Sequence, residues 1–241
     1  MLKKTEAIVL RTIKYGDGKL IVDMFTLTEG RLSAIASCPK SARGRTRRQL
    51  FQPLSMLEVE IDMSGTSGLK KLRGAATSVA YTSIPLRAEK MAIGMFLAEF
   101  LVYALRGEQA NEAMFRWMAD SLAWLDTCRD SCANFHIVFM MRMSPFLGFS
   151  PNMEGYAGGS VFDLRSGSFS PSPPPHDDYL RAEEAGKMAV LMRMTYNNMH
   201  LFRMSREERN RLLDVIIYYY RLHIPDFPQM RSIEVLRELF G

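Results

Sequence analysis

The spacing of apolar residues changes period once along this chain, near Pro85, and that change sets what it can fold into. Before it the pattern alternates. Met56–Ile61 places Leu57, Val59 and Ile61 on one face and Glu58 and Glu60 on the other, the period of two that marks a half-buried strand. Ala7–Ile13, Leu20–Leu27 and Arg31–Ser37 are short apolar or β-branched runs, with Leu32, Ala34 and Ala36 sharing one face of the third. Turns at Tyr15-Gly16-Asp17-Gly18 and Thr28-Glu29-Gly30 separate them, and a fifth run follows Ser64–Gly68, from Leu69 to Tyr81. Five strands with a longer connection after the third predict an OB-type barrel, although an SH3-like barrel gives a similar pattern.

Beyond Pro85 apolar residues recur every 3.6 positions. Arg87–Leu105 is apolar on nearly every side, which predicts a central buried helix. Glu112–Asp126 carries one stripe (Met114, Phe115, Met118, Leu122, Leu125). A third helix is expected from a cap at Asp130 or Ser131 to Gly148, a fourth over 178–196, and a fifth opened by the S-x-x-E box at Ser205 and Glu208. Ser232 starts a short terminal helix. The expected fold class is therefore α+β: an N-terminal OB-type five-stranded β-barrel over 1–80, then an all-α helical bundle over 81–241 with an irregular Gly/Pro-rich segment at 151–176.

Charge follows the same division. Of 31 Lys/Arg and 26 Asp/Glu in 241 residues, 14 and 7 fall within 1–84, leaving 17 and 19 for the rest. The whole positive excess thus sits in the N-terminal third, and its densest part is C-P-K-S-A-R-G-R-T-R-R-Q-L-F-Q from Cys38 to Gln52. Lys40, Arg43, Arg45, Arg47 and Arg48 occupy what reads as one loop, with no acidic residue among them. Such a segment suits a polyanion, because neutralising phosphates releases counterions without any need to read bases; a merely solvated basic loop is the bland reading. Lys71 and Arg73 alternate onto one face of the fifth strand. They either extend the same positive surface or blunt an edge strand. Tyr15, Phe25 and Phe51 lie in or beside the barrel, where an exposed ring stacks on bases and a buried one packs the core.

Chemistry of other kinds finds little support. No G-x-x-x-x-G-K-[ST], G-x-G-x-x-G, H-E-x-x-H or G-x-S-x-G occurs, and the four histidines are scattered. Cys128, Cys132 and His136 fall at i, i+4 and i+8 of an expected helix. Their ends stand roughly 12 Å apart at about 1.5 Å per residue, too far for one zinc with bonds of about 2.0–2.3 Å. No catalytic residue, metal site or cofactor is expected. Three cysteines argue against a disulfide framework. A charged N-terminus and the absence of a long uncharged apolar stretch predict a soluble cytoplasmic protein with no membrane partner.

With these pieces placed, the chain resembles the RecO family of bacterial recombination mediators over nearly its full length. The resemblance is carried by E-A-I-V-L-R-T-I-K-Y-G-D-G-K-L-I-V-D-M-F-T-L-T-E-G-R-L-S-A-I-A-S at 6–37 and the Arg-rich segment after it. It continues with F-Q-P-L-S-M-L-E-V-E-I at 51–61, F-L-G-F-S-P-N at 146–152 and Y-Y-Y-R-L-H-I-P-D-F-P-Q-M-R-S-I-E-V-L at 218–236. It implies an OB fold with a helical domain behind it. It implies binding of single- and double-stranded DNA, annealing of complementary strands, and help in loading RecA onto strands coated with single-strand-binding protein, at the nucleoid and without catalysis. RecR and the C-terminal tail of the single-strand-binding protein are the implied protein partners. The family's DNA contacts fall by position on Lys40, Arg43, Arg45, Arg47 and Arg48; Arg31, Lys71 and Arg73 join them as candidate cations. Many relatives hold zinc with four cysteines in the region matching Pro151–Ser170, where this chain has none. An RNA-binding or ribosome-associated OB protein is the alternative, and a scaffold whose basic segment binds an acidic partner is a third.

Overall fold

The structure, a computed structural model, describes residues 1–39, 41–64 and 68–239, without the side chains of Ala42, Arg43, Arg45, Thr46 and Leu239. Five strands form at the alternating segments: β1 (Leu2–Lys14), β2 (Lys19–Thr26), β3 (Gly30–Ser37), β4 (Met56–Asp62) and β5 (Leu69–Val79). They close in the order β1-β2-β3-β5-β4. All pairs are antiparallel except β3 with β5, which run parallel over Ser33–Ala36 and Leu69–Leu72. This order is that of an OB-type barrel, and the SH3-like alternative drops out. Inside it, Ala7, Val9, Val22, Met24, Ala34, Ala36, Leu57, Val59, Ile61 and Leu72 are buried, as the alternation of β3 and β4 requires. Each of the larger aliphatics contributes about 1.5–3 kcal/mol by leaving water.

By compactness the chain divides into two units, Met1–Cys128 with Met230–Leu236, and Arg129–Gln229 with the residues from Arg237 onward. In the first unit, α2 (Ala88–Ala104) and α3 (Glu112–Thr127) follow the barrel. Asn111 caps α3 by accepting from the Met114 N–H at 3.0 Å. These helices cover one end of the barrel's outer face. Phe115 stacks on Phe25 at 6.4 Å, and Ile8 and Leu10 are buried outside the inner core. Gly30 has φ +69°, and a Cβ there would stand 2.4 Å from the Gln109 carbonyl carbon, so only glycine permits this approach of the 108–110 turn.

A polar joint ties the entry of α2 to the end of α3. Asp126 accepts from the Thr82, Ser83 and Ile84 N–H groups at 2.8, 2.7 and 2.8 Å, and from the Thr82 hydroxyl at 2.9 Å. Burial alone pushes its carboxyl up, but these donors outweigh it and bring the pKa down to about 2. Lys90 is fully buried and donates to the Ser83 hydroxyl (2.7 Å), the Asp126 carbonyl (2.9 Å) and the Cys128 carbonyl (2.7 Å). All three ammonium protons thus have acceptors, the condition on which a buried charge is tolerated. Nothing in the apolar pattern of α2 announced it.

In the second unit α4 (Phe135–Met143) runs into a 3-10 turn over Ser144–Leu147 that Gly148 ends at φ +83°. Asn134, rather than Asp130 or Ser131, stands at the start of α4. The segment read as irregular contains most of a small sheet, β6 (Val161–Asp163), β7 (Ser168–Ser170) and β8 (Tyr179–Leu180), ordered β7-β6-β8. Then come α5 (Ala182–Arg193) and α6 (Arg206–His223), whose Ser205–Glu208 capping box forms as expected. The last helix, α7 (Ser232–Leu239), belongs by its residues up to Leu236 to the first unit. On α6, Tyr219 and Tyr220 are buried and donate to the Phe149 and Met140 carbonyls at 2.7 Å, while Tyr218 faces outward and donates to Asp178. No helix among the described residues is long and apolar enough to cross a membrane.

Two stability predictions follow from buried groups. Asp126→Asn removes the charge that holds three backbone N–H groups and is expected to cost about 2–4 kcal/mol in urea unfolding. His136 on α4 is fully buried, and burial, aided by the charge of Arg209, lowers its pKa to about 3. The unfolded chain, with an ordinary value near ~6.5, takes up the proton first. Its contribution is therefore complete above about pH 6.5 and lost as pH falls, by about 1.4 kcal/mol per unit. His136→Leu is expected to flatten the stability curve between about pH 6 and 4 by that slope.

Candidate nucleic-acid interface

The basic segment is a helix, not a loop. Ala42–Gln49 forms α1, between β3 and β4. Arginine is a good helix former and is favoured in the last turn, where Arg47 and Arg48 meet the negative end of the helix dipole. Ser41 caps the start by accepting from the Gly44 N–H at 3.3 Å. What the segment lacks is an apolar stripe, so tertiary contact fixes it. Gly44 lies against Pro39 so closely that a Cβ would stand 1.7 Å from the Pro39 carbonyl oxygen. At the far end the Phe51 N–H donates to the Arg48 carbonyl at 3.1 Å.

Among the candidate cations, Lys40 lies outside the described residues, as do the side chains of Arg43 and Arg45, whose backbones belong to α1. Arg48 donates to the Cys38 carbonyl at 3.1 Å, and Arg47 reaches the Arg73 carbonyl at 3.5 Å. The charges of both act on the Cys38 thiol, countering the rise that burial gives its pKa. The helix and β5 are therefore neighbours. Arg73 is half-exposed and pairs with Asp62 at 2.7 Å. The Ser64 hydroxyl and Arg73 hold that carboxyl well below the usual range. Lys71 is exposed and stands opposite Ile35 within the paired stretch of β3 and β5. No free edge exists there for its charge to blunt.

Arg31 stands elsewhere. Its guanidinium pairs with Asp23 at 2.8 Å and donates to the Val102 carbonyl, and little of it reaches solvent. Asp23 also takes Arg11 at 3.1 Å and the Ser33 hydroxyl at 3.0 Å. Burial would raise this carboxyl, but the hydrogen bond and charge of Arg31, with Ser33 and Arg11, hold it below its ordinary value. Arg31 is thereby engaged in the barrel itself and offers little to a ligand.

Of the three rings, Phe25 and Phe51 are core residues and only Tyr15, 48% exposed, is open. Cys128 ends α3 and Cys132 precedes α4, so these residues and His136 do not share one helix face as expected. Among the described residues no three His, Cys, Asp or Glu side chains come together as a metal cluster. The four-cysteine zinc module that the resemblance brings into question does not fit the matching segment. It offers no thiolate or imidazole between 151 and 170, and Val161, Phe162 and Phe169 fill its interior with Tyr219 and Leu180.

The chain matches the family description "Recombination protein O N terminal" over residues 1–81 and "Recombination protein O C terminal" over 86–232. It is 46% identical to the DNA repair protein RecO of Bacteroides fragilis and 47% identical to that of Phocaeicola vulgatus, in both cases over 241 residues and the whole of each chain. The DNA repair protein RecO of Porphyromonas gingivalis is 32% identical over 246 aligned positions, again covering both chains completely.

The contact of α1 on Pro39 makes a direct prediction. Gly44→Ala is expected to push the helix off its seat and lower stability by about 2–3 kcal/mol. Gly68→Ala, whose Cβ meets nothing within 4 Å, is expected to leave the thermal midpoint unchanged.

Proposed function

The chain belongs to the RecO family of DNA repair proteins, and from that premise we propose that it is a DNA-binding mediator of repair and homologous recombination rather than an enzyme. The observation that carries this reading is α1: four arginines and no acidic residue in eight positions, beside the cations of β5. Phosphates of single- or double-stranded DNA bind this helix, with Lys40, Lys71 and Arg73 extending the positive surface. Neutralised strands approach each other on it and anneal. Acting with RecR, and with the C-terminal tail of the single-strand-binding protein as a docking handle, the protein helps load RecA onto coated strands. The work is done in the cytoplasm at the nucleoid, without cofactor or metal. Residues 1–80 supply the DNA-binding module in this reading and 81–241 the helical domain.

Counterion release gives the test. Log affinity is expected to fall linearly with log salt, by about 0.9 per phosphate contact on duplex DNA. Reversing Arg43, Arg45, Arg47 and Arg48 to Glu is expected to reduce binding at least a hundredfold and to flatten that slope, with the protein still folded by circular dichroism. Unchanged affinity in a folded variant excludes α1 as the site; tighter binding of matched RNA than DNA selects an RNA-binding role instead.

A further inference from the structure

The barrel carries an outer surface around β4 whose charge is the inverse of that of α1. Leu57, Val59 and Ile61 point into the core, so Glu58, Glu60 and Asp62 line the outside of this strand. Asp62 is taken by Arg73. The other two are not taken: among the described residues neither the Glu58 nor the Glu60 carboxylate has an ion-pair or hydrogen-bond partner. On β1, Glu60 stands opposite Lys4 and Glu58 opposite Glu6. The second is a like-charged pair, placed where Cβ atoms are about 4.5–5.5 Å apart. Arg116 of α3 serves Glu6 and also Glu112, so four carboxylates here face two cations. On β5 the opposing residues are Gly74 and Ala76, too small to screen either glutamate. A Cβ on Gly74 would stand 3.4 Å from the Glu60 carboxylate oxygen.

These residues wall an open trough of about 530 Å³, with Leu27, Ala75 and Ala76 as its apolar lining. Apolar lining and unpaired acids together suit a cation carried on an apolar stem, which describes an arginine side chain. The spacing suits a helix face. Alternate residues of a strand stand about 6.6–6.8 Å apart, and residues i and i+4 of a helix about 6 Å apart along its axis. The chain contains a helix of that kind, since α1 has arginine at positions 43 and 47 and no acidic residue. That helix lies beside its own trough: Arg47 reaches the Arg73 carbonyl at 3.5 Å, and Gly74, the next residue, lines the trough. When a knob and a complementary hollow adjoin on one surface, a two-fold axis seats each copy's knob in the other's hollow.

We propose that two copies of this chain pair in this way, with α1 of each laid in the trough of the other and its arginines on Glu58 and Glu60. Charge complementarity names the occupant: the acids that lack a cation and the cations that lack an acid belong to one sequence. The interface is self-complementary and closed, so association stops at the dimer. Only one consequence rests on the DNA-binding reading of α1: a helix held by carboxylates is closed to phosphates, so DNA and the second copy compete for it. The dimer is then the resting form, and a strand that captures α1 releases it.

The test is sedimentation velocity of the full-length protein over a range of concentrations at low and raised salt. A monomer–dimer equilibrium is expected that weakens as salt screens the contact. Glu58→Lys with Glu60→Lys is expected to raise the dimer dissociation constant about tenfold or more, and so is reversal of the four α1 arginines to Glu. The decisive sample mixes these two variants. Each alone sets like charge against like, whereas in the mixed pair both contacts join opposite charges, so the mixture is expected to dimerise again. That recovery also shows that neither variant has merely unfolded. A natural protein that stays monomeric at low salt, or a mixture that does not recover, overturns the proposal. So does a monomer that binds a fluorescent oligo-arginine peptide through Glu58 and Glu60, which assigns the trough to a different basic partner. Added oligo-dT is expected to dissociate the dimer, and DNA bound to an intact dimer overturns the sharing of α1. If the dimer forms and no DNA binds, the pairing stands and the DNA-binding reading alone falls.

Discussion

The carboxylate of Asp23 decides which part of the barrel is covered and which is open. It is nearly inaccessible to water, so its charge survives only because Arg31, Arg11 and the Ser33 hydroxyl surround it. Removing one partner from such a group leaves the rest buried and uncompensated, at a cost of about 3–5 kcal/mol. Arg31 spends its remaining donor on the Val102 carbonyl at the end of α2. One carboxylate therefore fixes β2, β3 and a helix together. On one side of it Ile8, Leu10 and Phe25 lie under α2 and α3; on the other, Ile13, Ile21 and Ile35 meet solvent. The barrel is closed on all its strands, and Asp23 divides its outer face into a covered and an open part.

The elements with a long, clean period were legible from sequence. β4 alternates because one face is core and the other water, and α6 carries both its stripe and its capping box. The failures have physical causes. α1 has no apolar stripe, and its helicity comes from the Ser41 cap and the seat of Gly44 on Pro39, a contact invisible without coordinates. β6, β7 and β8 span two or three residues each, too short for alternation to register. The break after α3 was legible in the capping residues Asp130 and Ser131, but α4 starts only after Asn134, which leaves Cys128 and Cys132 outside both helices and removes the supposed common face with His136.

The site was legible in its charge and not in its geometry. A run of arginines without acids is visible in any frame of folding. That Arg31 belongs to Asp23 depends on a diagonal neighbour across β2 and β3, which only the register reveals. The pairing of Ile13 with Ile21 and of Ile21 with Ile35 is the same case from the other direction. Positions 13, 21 and 35 have no common spacing, and they meet because two turns of different length set three strands in line.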